Sequence, residues 1–185
     1  MDTSIVLALH NLADRSALAN ILVIFFGSWL QYAVVGALLL RPWLGKRRMP
    51  GDEERTRLMA WGSIATALIS RLALTELVRF FYNRPRPFVA LHFIPLIAHE
   101  TSASFPSGHA AFFFGIAWFV YFRNRRLGVY FFISAALIGI ARIAAGIHYP
   151  TDIFGGIAVG LLSAWIAGLV IERTKLKTLL FNSPS

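Results

Sequence analysis

Apolar stretches recur along this chain at lengths that match the thickness of a bilayer. A helix that crosses the hydrocarbon layer needs about 20 mostly apolar residues. Five segments meet or approach that length: Ala17 to Leu40, about Leu58 to Tyr82, Pro106 to near Phe122, Leu127 to about Ala145, and Pro150 to Ile171. Bare backbone polar groups are not tolerated in lipid, so such segments are expected to be helices. The expected fold is therefore all-α: a polytopic membrane helix bundle of about five transmembrane helices in one domain over residues 1–185. The mildly amphipathic segment before Ala17 is expected to form a helix along the membrane interface. Only 15% of the residues are charged, against about 25% in a soluble domain. With no cysteine in the chain, disulfides and thiol chemistry are excluded. The N-terminus lacks the basic start and small-residue cleavage site of a secretory signal, so the first span is expected to stay in the mature protein.

The net charge of +9 is not arranged as a basic face for nucleic acid, and no nucleic-acid partner is expected. It falls in short clusters between the apolar runs. Arg41, Lys46, Arg47, Arg48, Arg55 and Arg57 follow the first span. Arg123, Arg125 and Arg126 follow the third, and Arg173, Lys175 and Lys177 follow the fifth. These twelve of the 18 basic residues share one side, which the positive-inside rule makes cytoplasmic. The N-terminus then faces out and the C-terminus faces the cytoplasm. Arg79, Arg84, Arg86 and Arg142 break the pattern by clustering at the outer ends of spans two and four, which an anionic ligand would explain.

Three short stretches meet on that outer face: Arg79-FFYNRP-Arg86-Pro87, then Pro106-Ser107-Gly108-His109, then Arg142-IAAGI-His148-YPT-Asp152. Arginine is a permanently charged fork that matches phosphate oxygens in pairs, and several together repel a divalent metal. His109, His148 and Asp152 are accordingly poor zinc ligands, and no metal or other cofactor is expected. Ser107 and Gly108 precede a helix whose free amides and dipole favour an anion, and Gly108 lets backbone come close. Pro150 suits a helix start. It places Asp152 in a first turn within reach of His148, where a carboxylate can fix the tautomer of a nucleophilic imidazole. Gly156, Gly160, Ala164 and Gly168 continue the Asp152 face at four-residue intervals, a small-residue stripe suited to close helix packing. Ala135, Gly139 and Arg142 do the same on span four.

These three blocks resemble the tripartite signature of the type 2 phosphatidic acid phosphatases, K-x6-RP, PSGH and SR-x5-H-x3-D. Arg79 stands for the leading lysine and Ala141 for the serine of the third block. The resemblance implies that His148 attacks phosphorus to form a phosphohistidine, that Asp152 orients it, and that His109 protonates the leaving oxygen. Arg79, Arg86, Arg142 and the amides around Ser107 and Gly108 would hold the phosphate. Within the family, the short chain and the stretches RPRPF and SFPSGHA look most like bacterial undecaprenyl-diphosphatases of the plasma membrane. That likeness implies undecaprenyl diphosphate as substrate. Phosphatidylglycerophosphate, phosphatidate or lipid A phosphatases are the alternatives. Further from these stand a lipid phosphotransferase and a non-catalytic lipid-binding protein; the presence of His109, His148 and Asp152 argues against the latter.

Outside the signature, Arg84 is expected at a second phosphate, at lipid headgroups, or in support of the site. Glu76, one turn before Arg79, is expected to pair with it, whereas Arg71 has no evident partner although ionisable groups within spans are functional by default. His92, His99 and Glu100 fall in an apolar loop read as interfacial. Trp43, Tyr82 and Tyr149 read as an aromatic belt, and His10 as an interfacial residue.

Overall fold

The computed structural model describes residues 1–44 and 52–181. Its helices are α1 (Asp2–Asp14), α2 (Ala17–Ile24), α3 (Leu30–Leu44), α4 (Asp52–Leu68), α5 (Thr75–Phe81), α6 (Pro87–Ala90), α7 (Gly108–Arg123), α8 (Arg125–Ala144) and α9 (Pro150–Phe181). Short π-helical turns, Phe25–Trp29 and Ile69–Leu74, join α2 to α3 and α4 to α5 without breaking either rod. Among the described residues there is no strand.

The boundaries follow from local chemistry. Ser16 starts α2 by accepting from the amide of Ala19, Ser107 starts α7 by accepting from Ala110, and Asn124 starts α8 by accepting from Leu127. Such side-chain acceptors replace a missing helical partner. Asn124 alone separates α7 from α8, and α8 folds back to pack along α7. Pro150 occupies the first position of α9, where its missing N–H costs nothing.

Three helical segments, Ala17–Leu40, Arg125–Ala144 and Pro150–Arg173, are long and apolar enough to cross a membrane. The chain is an all-α membrane bundle. Ile21, Trp29, Leu72, Tyr130, Phe154 and Trp165 point outward, as side chains facing lipid do. Helix α7 lies at the centre, against α9, α8 and α4. Its residues Ile116, Ala117 and Val120 form the core with Leu38, Met59, Ala67, Phe131, Ala135 and Ile138.

Helices α7 and α9 cross with their backbones close together. A Cβ on Gly156 would stand 2.5 Å from the Ser107 carbonyl oxygen, and one on Gly160 would stand 2.6 Å from that of Ala111. Ala164 is buried in the same stripe. Gly168 departs from the expected pattern, since nothing lies within 4 Å of its Cβ direction. Two turns of glycine are thus what draw the start of α9 against the start of α7. Gly156→Ala should destabilise the protein by about 1–3 kcal/mol, because the obstruction is backbone. Gly168→Ala should stay within about 0.5 kcal/mol of the parent. Thermal unfolding in detergent checks both, and equal effects would count against the close crossing.

Candidate active site

The three sequence blocks converge at one end of the bundle, opposite the Arg123–Arg125 turn. Arg79 is in the last turn of α5, and the chain leaves that helix extended to reach Arg86 ahead of α6. Ser107 to His109 open α7, Arg142 closes α8, and His148 to Asp152 lead into α9.

Asp152 has no exposed surface. Its Oδ2 accepts from the amide of Tyr149 at 2.7 Å and from the Ser104 hydroxyl, and its Oδ1 accepts from Arg84 at 3.0 Å. The bond back to Tyr149 resembles the acidic half of a helix capping box. The same Oδ2 lies 3.5 Å from His148 Nδ1 without closing a hydrogen bond. On the far side of the ring, Arg86 Nη1 stands 3.2 Å from Nε2. Arginine can only donate, so Nε2 carries the lone pair and Nδ1 carries the proton facing Asp152. Burial first, then the charges of Arg142 and Arg86, hold the His148 imidazole well below its usual pKa.

Arg86 is itself buried and fully engaged. Its Nε donates to the Ser102 carbonyl, Nη1 to the Ile147 carbonyl and His148, and Nη2 to the Ser102 hydroxyl and the Ala103 carbonyl. Burial and the neighbouring Arg79 push its pKa down to about 10, so it stays cationic at neutral pH. Arg142 is the opposite case. It is 3% exposed, its Nη1 reaches the Gly27 carbonyl only at 3.4 Å, and its Nε and Nη2 have no partner. Arg79 donates to the Pro106 carbonyl at 3.2 Å and to Glu76 at 3.1 Å, with its Nε unpartnered. Buried charge without partners is costly, and these free donors are where an anion would be held.

Glu76 also binds Arg71, which gives that residue the partner its sequence context did not reveal. The π turn at Ile69–Leu74, with its i→i+5 hydrogen-bond spacing, brings Arg71 and Glu76 to one side. The Arg71 arm lies across Gly108: its Cδ and Nε are 2.7 Å from where a Cβ on Gly108 would be. His109 is half-buried beside it, its ring centroid 6.4 Å from that of Phe113. The amide of Ser107 differs from expectation. It donates to the backbone oxygen of Asp152 at 2.9 Å and is spent within the protein. The first-turn amides of Gly108 and His109 remain as helix-end donors.

Arg84 is tied to Asp152, Thr151 and Asp2 and stacks 3.8 Å over the Tyr149 ring. Its guanidinium supports the site instead of facing a second phosphate. Two sequence expectations are corrected at this end. Tyr149 is buried beneath Arg84 and belongs to no lipid-facing belt. His10 is buried too, with Nδ1 3.2 Å from the Ala144 carbonyl and its ring against Phe93, so it latches α1 onto α8. Tyr82 remains exposed, and the side chain of Trp43 lies outside the described residues. The loop read as interfacial also folds inward. Its Ser102, Ala103 and Ser104 hold Arg86 and Asp152, and His99 sets its ring edge-on to His148 at 6.3 Å. Burial and the Arg86 charge push His99 down to about 4. Ser104, Asp2 and Thr151 carried no signal in the sequence, since their partners are distant in the chain. Among the described residues no group of three or more His, Cys, Asp or Glu is placed to hold a metal ion.

An all-helical membrane bundle that gathers two histidines, a buried aspartate and several arginines at one end has the makings of a phosphoryl-handling enzyme. The profile of the PAP2 superfamily matches residues 60–175. The chain belongs to that superfamily. It is 31% identical over 168 residues to undecaprenyl-diphosphatase BcrC of Bacillus subtilis, covering 90% of this chain and 82% of the relative. The crystal structure of Aquifex aeolicus LpxE superposes with a TM-score of 0.69 at 24% identity, covering 90% of this chain and 93% of that one. The transmembrane PAP2-type phosphatidylglycerolphosphate phosphatase from Bacillus subtilis gives a TM-score of 0.58 at 24% identity, covering 93% and 85%.

Asp2 ties α1 to this site, accepting from Thr151 and Arg84. Burial raises its pKa, but the hydrogen bonds from Thr151 and Arg84 together outweigh that and leave it lowered. A depressed carboxyl stabilises the fold above its unfolded pKa and ceases to do so as pH falls through its folded one. The wild type should therefore exceed Asp2→Asn in thermal stability by up to about 1 kcal/mol above about pH 5. The gap should close as the pH falls well below about 4. A gap independent of pH would show that the Asp2 charge is not what makes the tie.

Proposed function

We propose that this lipid phosphatase hydrolyses undecaprenyl diphosphate to undecaprenyl phosphate and inorganic phosphate, through a phosphohistidine on His148, at the outer face of a bacterial plasma membrane. The observation that carries the chemistry is Arg142, a buried guanidinium with two unpartnered nitrogens in a cage that also holds His148. A phosphate would satisfy those donors in pairs. The substrate reading draws on the relative named undecaprenyl-diphosphatase and on its match over most of both chains. The outer-face reading draws on the arginine and lysine asymmetry, with α4 to α5 and α7 taken as two further spans.

The residues divide the reaction as follows. The terminal phosphate enters between Arg142, Arg79, Arg86 and the amides of Gly108 and His109. Arg86 Nη1 then transfers its bond from His148 Nε2 to a phosphate oxygen, which frees the lone pair. Nε2 attacks phosphorus as the bridging P–O bond breaks, and the electron pair leaves with the lipid phosphate, to which His109 gives a proton. The imidazole becomes cationic, and Asp152, 3.5 Å from Nδ1, is placed to stabilise it. In the second half His109 takes a proton from water. The water oxygen bonds to phosphorus, the N–P bond breaks, and phosphate departs. Positioning and positive charge are most of what phosphoryl transfer requires, and here arginines supply them without a metal.

A second reading, phosphatidylglycerophosphate as substrate, draws on the likeness to phosphatidylglycerophosphatase B of Bacillus subtilis, 36% identical over 113 residues that cover 55% of this chain. Phosphate release in EDTA should separate the two, with undecaprenyl diphosphate, phosphatidylglycerophosphate and phosphatidate offered side by side. Release that survives chelation, favours the diphosphate and disappears in His148→Ala is the expected result. A requirement for added metal would sink the arginine mechanism, and preference for a glycerophospholipid would sink the substrate alone.

The pH profile gives an independent check. Because His148 titrates below its usual range in the free protein, it is already neutral at mildly acidic pH. The acid limb of kcat/KM should lie below about 6.5, where an ordinary histidine would put it. A limb at or above that value that belongs to His148 would mean the nucleophile is normally charged.

A further inference from the structure

A cavity of about 250 Å³ opens beside the site. Arg71, Gly108 and His109 line it, and Gln31, Val35 and Phe112 are among the other lining residues. It is mostly apolar, with one guanidinium and one imidazole among its lining groups. We infer that Arg71 binds the phosphate that stays on the lipid when a diphosphate is cleaved, and that the apolar remainder of the cavity receives the first part of the hydrocarbon chain. The inference rests on the diphosphate reading above.

The placement follows from which cations are committed. Arg86 is held by protein groups and, through Nη1, serves the terminal phosphate, and both Nη atoms of Arg84 are engaged by Asp2, Thr151 and Asp152. Arg71 uses only Nη1, on Glu76, and among the described residues its other nitrogens make no hydrogen bond. Its side chain is 38% exposed and lies across Gly108, next to the histidine proposed to protonate the leaving oxygen. The bridging oxygen of a diphosphate bound in the cage must lie near His109, and the retained phosphorus is one bond further on. Arg71 stands on that side, lining the same cavity as His109 and lying across Gly108. Glu76, shared with Arg79, holds the arm in place. A monophosphate ester has no group for Arg71 to meet, so the residue would set preference between the two substrate classes.

The test compares wild type, Arg71→Gln, Arg71→Lys and Glu76→Gln in detergent, with farnesyl diphosphate and farnesyl monophosphate as substrates. Arg71→Gln should lower the ratio of kcat/KM for diphosphate over monophosphate about tenfold or more, and Arg71→Lys should recover part of it. Competitive inhibition by imidodiphosphate should weaken in parallel, and more than inhibition by orthophosphate. Equal loss on both substrates, matched by Glu76→Gln, would overturn the inference, because Arg71 would then only steady Arg79 through Glu76. An unchanged substrate ratio would overturn it as well. The inhibitor arm keeps the two readings apart. A wild type that prefers monophosphates defeats the substrate reading, whereas imidodiphosphate binding that is indifferent to Arg71→Gln defeats the role of Arg71 whatever the natural lipid.

Discussion

A carboxylate with no exposure to solvent survives only if other groups compensate its charge, and at Asp152 that compensation organises the site. The donors come from Tyr149 at the start of its own helix, from Ser104 in the loop before α7, and from Arg84 after α5. The backbone oxygen of the same residue accepts from Ser107, the cap of α7. One residue thereby joins all three sequence blocks. The close α7–α9 crossing brings the parts near enough, and Asp152 fixes their register. His148 inherits its orientation from this arrangement, held between the carboxylate and Arg86.

The arginines of the site play different parts despite equal charge. Arg86 is spent on carbonyls and on His148, which makes it a rigid strut and a keeper of the tautomer. Arg84 compensates Asp152 and carries α1 with it through Asp2. Arg142 is left short of partners where an anion would lie, and Arg79 shares Glu76 with Arg71. A low-dielectric site with fixed donors stabilises developing charge without reorganising itself. Such fixity is expensive, and the tight packing around Gly156 and Gly160 is what sustains it.

The fold was legible because bilayer thickness imposes a length on apolar segments and capping chemistry marks their ends, as at Ser107, Asn124 and Pro150. The gathering of His109, His148, Asp152, Arg79, Arg86 and Arg142 was legible because their spacings place them at helix ends that face one way. What the sequence hid are contacts between residues far apart in the chain. Nothing about Asp2 announces that it meets Thr151 and Arg84, and nothing about His10 announces the Ala144 carbonyl. The partner of Arg71 was hidden for a different reason. Regular helical periodicity puts neighbours three and four residues apart, whereas Arg71 and Glu76 are five apart and meet through a π turn.

That turn also bears on how chains of this kind should be compared. A π turn accommodates one residue more than the regular helix around it and rotates everything beyond it relative to everything before. The residues of α4 below Ile69 and those of α5 above Leu74 therefore belong to two different registers on one rod. A relative with an uninterrupted helix there can present its own first signature block to the same site only by dropping a residue. The place to expect a single-position gap in an alignment is within Ile69–Leu74, inside a continuous helical rod where gaps are ordinarily disfavoured.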